Sequence, residues 1–403
     1  MPNLQITYRI LANLLVLCTF SLFASRPLYS QTLVPGVPVF DNTGFVEYIP
    51  GNLPIVISVP HGGDLEPENI PDRDCDAFTC GKDLFTQELG RSTLDAFFEQ
   101  TGCYPHVIIN LLHRRKFDAN REIMEAADGN PIVEESFAAY HAFIETAKEQ
   151  IQDSFGRGLF LDLHGHAHTI QRLELGYRLT QSQLQMEDAE LNTEDLIERS
   201  SIRSLVSENI SSSSHAELLR GEDSFGTLCE DRDIAAVPSA PMPFPFDNES
   251  YFTGGYNTLR HGSSEGGNID AIQIECNQDI RFDTDTRDNF ADSLVIIIND
   301  FINTHYDENF TSSFCNLISN TTIVNNLNTI DLYPNPVSDL FNIDSDDQEI
   351  EFTIYNCLGQ NIMTGMFSGQ DIDASRLKAG SYIVVFKKDG LYIGSSKLIK
   401  NER

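Results

Sequence analysis

Residues 159–168 read Leu-Phe-Leu-Asp-Leu-His-Gly-His-Ala-His. A short, largely apolar run that halts at His164 is the pattern of a buried strand with a polar group at its carboxyl end. The pattern recurs at Pro54 to Val59 before His61, at Val107 to Leu112 before His113, and at Ala271 to Ile274 before Glu275. Elsewhere the apolar period becomes helical: Phe137, Tyr140, Ile144, Ala147 and Ile151 follow Pro131, and Phe290, Leu294, Ile297 and Phe301 follow the last run. Strands alternating with helices predict an α/β fold on a mixed, mostly parallel sheet with helices on both faces. Ligands of such sheets gather beyond the carboxyl ends of the strands, where His61, His164 and Glu275 fall.

This unit is expected to span residues 46–306, and the chain around it reads differently. Between Asn309 and Ile330, 13 of 22 residues are Asn, Ser or Thr, so a linker is expected over 307–330. Beyond it Ile350, Phe352 and Ile354 alternate with polar residues, as do Tyr382, Val384 and Phe386, with glycines at 359, 369, 380 and 390. Residues 331–403 therefore predict a small antiparallel β-sandwich domain. At the other end Arg9 precedes a mostly apolar stretch, Ile10 to Ala24, which predicts a signal peptide over residues 1–30.

The 403 residues carry 27 Lys and Arg against 60 Asp and Glu, a net charge of −33. Such a chain repels phosphate backbones, which argues against a nucleic-acid partner. After the first thirty positions no apolar run reaches the length of a membrane span, so no integral membrane segment is expected in the mature protein. Among the scattered cysteines, only Cys75 and Cys80 are close enough in sequence to suggest a bridge, and no Cys-x-x-Cys pair argues for structural zinc or redox chemistry.

A metal site needs imidazoles and carboxylates converging on one cavity. Ser-Val-Pro-His-Gly-Gly-Asp (58–64) and Leu-Asp-Leu-His-Gly-His-Ala-His (161–168) supply them at two strand ends, with glycines that let a ligand approach the backbone. His166 and His168 alternate with His164 and stand as neighbours of that centre or as substrate contacts. Glu275 ends an apolar strand, and a buried carboxylate there suits proton transfer. Arg114, Arg115 and Arg121 concentrate positive charge in an acidic chain and point to an anionic substrate, since a guanidinium takes a carboxylate through parallel hydrogen bonds. Gln171 and Arg172, just past the histidines, could add a contact.

From about 54 to 303 the chain resembles the N-formylglutamate amidohydrolase family, relatives of the zinc carboxypeptidases. The motifs are Val-Pro-His-Gly-Gly (59–63), Asp-Ala-Asn-Arg (118–121), Asp-Leu-His-Gly (162–165) and Ile-Gln-Ile-Glu (272–275). The resemblance implies a zinc carboxypeptidase-like fold and a zinc cofactor with His61 and His164 as ligands. It also implies Asn120 and Arg121 as the pair on a substrate carboxylate, and Glu275 as general base. For the third ligand it leaves Asp64, at the position matching His-x-x-Glu of the carboxypeptidases, and Asp83, at the start of the first helix. Glu66 and Asp72 are weaker choices. Tyr256, in a Gly-rich segment ahead of Glu275, resembles the mobile Tyr of the carboxypeptidases; it or His261 would close over substrate. The Gly-x-Ser-x-Gly pattern at 262–266 lacks the strand before and helix after that a serine nucleophile requires.

The last seventy-odd residues resemble the C-terminal sorting domain of proteins exported by the type IX secretion system of Bacteroidetes-type bacteria. Leu-Tyr-Pro-Asn-Pro (332–336), Tyr-Asn-Cys-Leu-Gly (355–359), Ala-Gly-Ser-Tyr (379–382) and Lys-Leu-Ile-Lys (397–400) carry that likeness. The expected protein is a secreted or cell-surface zinc amidohydrolase, exported by the type IX machinery. It acts on a small acidic N-acyl amino acid or peptide. A carboxypeptidase-like or cell-wall peptide hydrolase, or a non-catalytic binding protein on the same fold, are the alternatives.

Overall fold

The computed structural model describes residues 33–307, 330–344, 349–356, 361–388 and 391–401. The expected signal peptide and nearly all of the expected linker lie outside these residues. Among the described residues no helix is long and apolar enough to cross a membrane.

The larger sheet has eight strands in the order β1-β2-β4-β3-β5-β8-β6-β7. They are β1 (Val39–Phe40), β2 (Val46–Ile49), β3 (Ile55–Val59), β4 (His106–Asn110), β5 (Gly158–Gly165), β6 (Leu173–Gly176), β7 (Ala236–Val237) and β8 (Ile269–Cys276). The central strands β4, β3, β5 and β8 run parallel, whereas β2 joins β4 and β6 joins β8 antiparallel. The sheet is thus mixed and mostly parallel, as the alternation of runs predicts. The four anticipated strands are its centre; the antiparallel β2 and β6, only four residues long, show no such run in the sequence.

Central strands buried on both faces must be apolar on both. On one face Ile57, Val59, Leu161, Leu163, Ile272 and Ile274 join Leu89 and Phe97 of helix Thr86–Thr101 and Leu294 and Ile298 of helix Thr284–His305 in one core. On the other, Phe160 meets His261 of helix Tyr256–His261, and Tyr48 meets Phe143 of helix Pro131–Phe155. Phe160 is fully buried, so truncation to Ala should cost about 3–5 kcal/mol. The Pro131–Phe155 helix starts where Asn130 accepts from the N–H groups of Ile132 and Val133, with Pro131 in its first turn, and stops at Gly156, whose φ of 77° is left-handed.

The tail forms two antiparallel sheets. One has the order β13-β10-β9 (Ile372–Asp373, Leu340–Asp344, Asp331–Tyr333); the other β12-β11-β14-β15 (Asn361–Phe367, Ile350–Asn356, Gly380–Lys388, Leu391–Lys400). Ile350, Phe352, Ile354, Val384 and Phe386 form a core separate from that of the large sheet. Cys75 and Cys80 are bridged as their spacing suggests; Cys103 is disulfide-bonded too, which spacing did not suggest.

Candidate metal centre

His61 follows β3 and His164 lies near the end of the neighbouring β5, so parallel pairing brings both to one edge. Gly62 and Gly63 after His61 leave no room for a Cβ: Gln87 lies against the first and Leu111 against the second. That close approach lets the segment entering helix Thr86–Thr101 carry Asp83 onto the histidines. Between Asp83 and the helix, Phe85 holds a left-handed φ of 65°, a strained conformation for a side chain of that size.

Asp83 Oδ2 lies 3.3 Å from His61 Nδ1 and 3.2 Å from His164 Nδ1, and the two Nδ1 atoms are 3.1 Å apart. The opposite edge of each ring meets another buried carboxylate. His61 Nε2 is 2.6 Å from Asp118 Oδ1, and His164 Nε2 is 2.8 Å from Asp162 Oδ2. Asp118 in turn accepts from Arg114 Nε at 2.8 Å, and Asp162 from Ser58 and Asn257.

A carboxylate only accepts, so each Nε2 donates, and in a neutral ring each Nδ1 turns a lone pair inward. Two lone pairs and a carboxylate oxygen then face one another, an arrangement that repels itself unless positive charge sits among them. His61, Asp83 and His164 therefore offer a donor set for a divalent cation, and ligands of a tetrahedral zinc with bonds of about 2.0–2.1 Å would be spaced much as these atoms are. The surrounding carboxylates favour positive charge at this corner. Burial opposes ionisation of Asp118 and Asp83, yet both stay below the usual carboxylate range, Asp118 through His61 and Arg114, Asp83 through His61 and His164. Burial likewise opposes charge on His164, but the carboxylates of Asp162 and Asp83 carry it well above the usual histidine range.

Glu275 pairs with His164 in the β5–β8 register, so the two side chains share a face. Gln273 Nε2 donates to its Oε1 at 2.8 Å. Burial, with Asp83 and Glu174 nearby, pushes its pKa up to about 8. A carboxyl poised near neutrality can both take and give a proton.

Other expected residues lie elsewhere. Asp64 is apart from the histidines: its side chain is 70% exposed and pairs with Lys82, so the turn after His61 aims it at solvent. Glu66 and Asp72 pair with Arg115 and Lys116. Arg172 is buried, with Nη2 on Glu249 and Nη1 on the sulfur of Met242. His261 is fully buried between Glu145 and His141 and cannot close over anything. Tyr256 opens its helix with its hydroxyl accepting from Arg260 Nη1. Asn120 touches His164 through Nδ2 at 3.2 Å, while Arg121 is half-buried with Nε on Glu125 and Nη1 on the Asn120 carbonyl. Ser264, the centre of the Gly-x-Ser-x-Gly pattern, precedes β8, at the opposite end of that strand from Glu275.

Asp118 and Asp162 were given no role from sequence, though a signal existed for one: Asp162 and His164 are two apart on a strand and must share a face.

Comparison with known proteins adds the following. Residues 331–401 match the secretion system C-terminal sorting domain. No curated protein matches the chain. Among solved structures it is similar to N-formylglutamate amidohydrolase from Ralstonia eutropha JMP134, at 14% identity over 62% of this chain and 94% of that one, with a TM-score of 0.37. A gene product from Agrobacterium tumefaciens is similar at 10% identity over 65% and 97%, TM-score 0.38. The CwlD amidase from Clostridioides difficile, solved with the GerS lipoprotein, is similar at 13% identity over 62% and 97%, TM-score 0.26.

Proposed function

We propose that the chain is an exported zinc-dependent amidohydrolase that cleaves an N-acyl or peptide-like amide beside a carboxylate. The observation that carries the reading is the convergence of His61 Nδ1, His164 Nδ1 and Asp83 Oδ2, all acceptors, next to the buried Glu275. Zinc held by those three residues supplies a Lewis acid for the amide carbonyl and makes water a better nucleophile near neutral pH. Asp118 and Asp162 fix the proton of each imidazole on Nε2 and keep Nδ1 available. Glu275, with Oε1 anchored by Gln273, accepts the proton of the attacking water on Oε2 and returns it to the departing nitrogen. Asn120 and Arg121 stand on the flank formed by the loop after β4 and hold the substrate carboxylate.

The sorting-domain match at 331–401 supports export to the cell surface or beyond, with residues 46–306 as the catalytic unit. The test is metal analysis of the purified protein together with turnover of N-formyl, N-acetyl and peptidyl amino acids. About one zinc per chain and hydrolysis of at least one class are expected. A protein that binds no zinc and cleaves none of them would overturn the reading.

A further inference from the structure

A second group of ligating side chains, His166, His168 and Glu174, lies beside the first, their atoms within 4.8 Å of one another. It differs from the metal centre in one respect: its donors and acceptors already match. His166 Nε2 donates to the Arg172 carbonyl at 2.8 Å and Nδ1 accepts the His168 N–H at 3.1 Å. Glu174 takes His168 Nδ1 on one oxygen at 2.8 Å and the Phe252 N–H on the other at 2.9 Å. Nothing there calls for a cation. What the group does instead is hold one imidazole still, because His168 is gripped at Nδ1 by a fully buried carboxylate and stacked on Phe252, ring centroids 4.8 Å apart and 12° from parallel.

The position of that imidazole follows from strand register. His164 on β5 pairs with Glu275 on β8, and Glu275 pairs with Glu174 on β6, so the three side chains form a row on one face. At about 4.8 Å per strand, Glu174 stands about 10 Å from His164, beyond Glu275. His168 caps the row with its side chain 24% exposed, stacked on Phe252, which is 42% exposed, and Ile170, two residues along the chain, is 38% exposed. A formyl group on the metal-centre carbonyl reaches none of these residues, whereas an extended chain covers such a distance in about three residues or fewer.

Resting on the amidohydrolase reading, we infer that His168, Phe252 and Ile170 form a subsite for the acyl side of a peptide-like substrate, on the flank opposite Arg121. His168 Nε2, left as an acceptor because Nδ1 donates to Glu174, takes a backbone N–H of the acyl part, Phe252 and Ile170 cover its apolar surface, and Glu174 is the positioning residue. The preferred substrate then carries an acyl part of peptide length rather than a formyl or acetyl group.

The experiment measures kcat/KM of the full chain, loaded with zinc, on one amino acid carrying formyl, acetyl, aminoacyl or N-acetyl-aminoacyl groups. Wild type should favour the longer acyl parts. His168→Gln and Phe252→Ala should each lower the ratio of kcat/KM for long over short acyl groups at least tenfold with zinc content unchanged. Glu174→Gln should do the same, mainly through KM. A wild-type preference for formyl substrates, or variants that weaken all substrates equally, would overturn the subsite while leaving the amidohydrolase reading intact. Loss of a second metal equivalent in His168→Gln would make the cluster a metal site and overturn it as well. Wild type that cleaves none of the series overturns both.

Discussion

His61 and His164 turn their Nδ1 atoms to within 3.1 Å of each other while each commits Nε2 to a buried aspartate. Paired in this way the two rings cannot satisfy one another, and Asp83 adds a third acceptor. On the proposed zinc reading, the stability of this corner is tied to a cation.

Removing that cation should lower the melting temperature. A ligand that binds only the folded state stabilises it by about 4 kcal/mol at a free concentration a thousand times its Kd. Chelation followed by calorimetry should show the drop, and restored zinc should reverse it. Asp83→Ala should bind zinc far more weakly, whereas Asp64→Ala should keep it, because Asp64 faces Lys82 and solvent. Equal zinc retention in both variants would dissolve the site.

The aspartates behind the histidines should matter almost as much as the ligands. Asp118→Asn and Asp162→Asn each replace an acceptor that fixes a histidine proton, so zinc affinity should fall by about 10–100-fold, measured by competition with a chelator. Asp118→Asn should also destabilise the fold, since Arg114 and Arg73 lie against that carboxylate and would lose its charge. Unchanged affinity in both would mean that the histidines hold their orientation without them.

How much of this was legible follows from which residues carry local signals. A polar side chain at the end of an apolar run announces itself, which is why His61, His164 and Glu275 could be placed from sequence. Asp83 has no such mark; it arrives through a loop brought close by the contact of Gly62 with Thr86 and Gln87. The arginines are less legible for a different reason. In a chain with 60 acidic residues a guanidinium usually finds an internal partner, and Arg114, Arg115 and Arg172 took Asp118, Glu66 and Glu249. Between β6 and β8 the helices are only four to six residues long, too short to show a period, although Thr180 with Gln183 and Ser214 with Glu217 are readable capping boxes.

Glu275→Gln tests the proton-transfer role. The amide keeps the shape and can still meet Gln273, so zinc content and melting temperature should hold while turnover falls by about 10²–10⁴-fold. Full activity in this variant would remove Glu275 from the chemistry.

The last expectation concerns stability rather than catalysis. Asp270, near the start of β8 and so at the opposite end of that strand from Glu275, is fully buried, and burial raises its pKa from 3.8 to about 6 despite bonds from Ser263, the Leu205 N–H and Tyr306. A carboxyl whose folded pKa is raised binds more protons folded than unfolded between those two values. Its stabilising contribution is therefore complete below the unfolded pKa of about 3.9 and is lost as pH rises through the folded one, a swing of about 3 kcal/mol. Asp270→Asn carries no charge at any pH and escapes this loss. Its melting temperature relative to wild type should thus move upward between about pH 4 and pH 7, whatever the substitution costs in hydrogen bonds at a fixed pH. A difference that stays constant across that window would show that Asp270 ionises as easily in the folded chain as in the unfolded one.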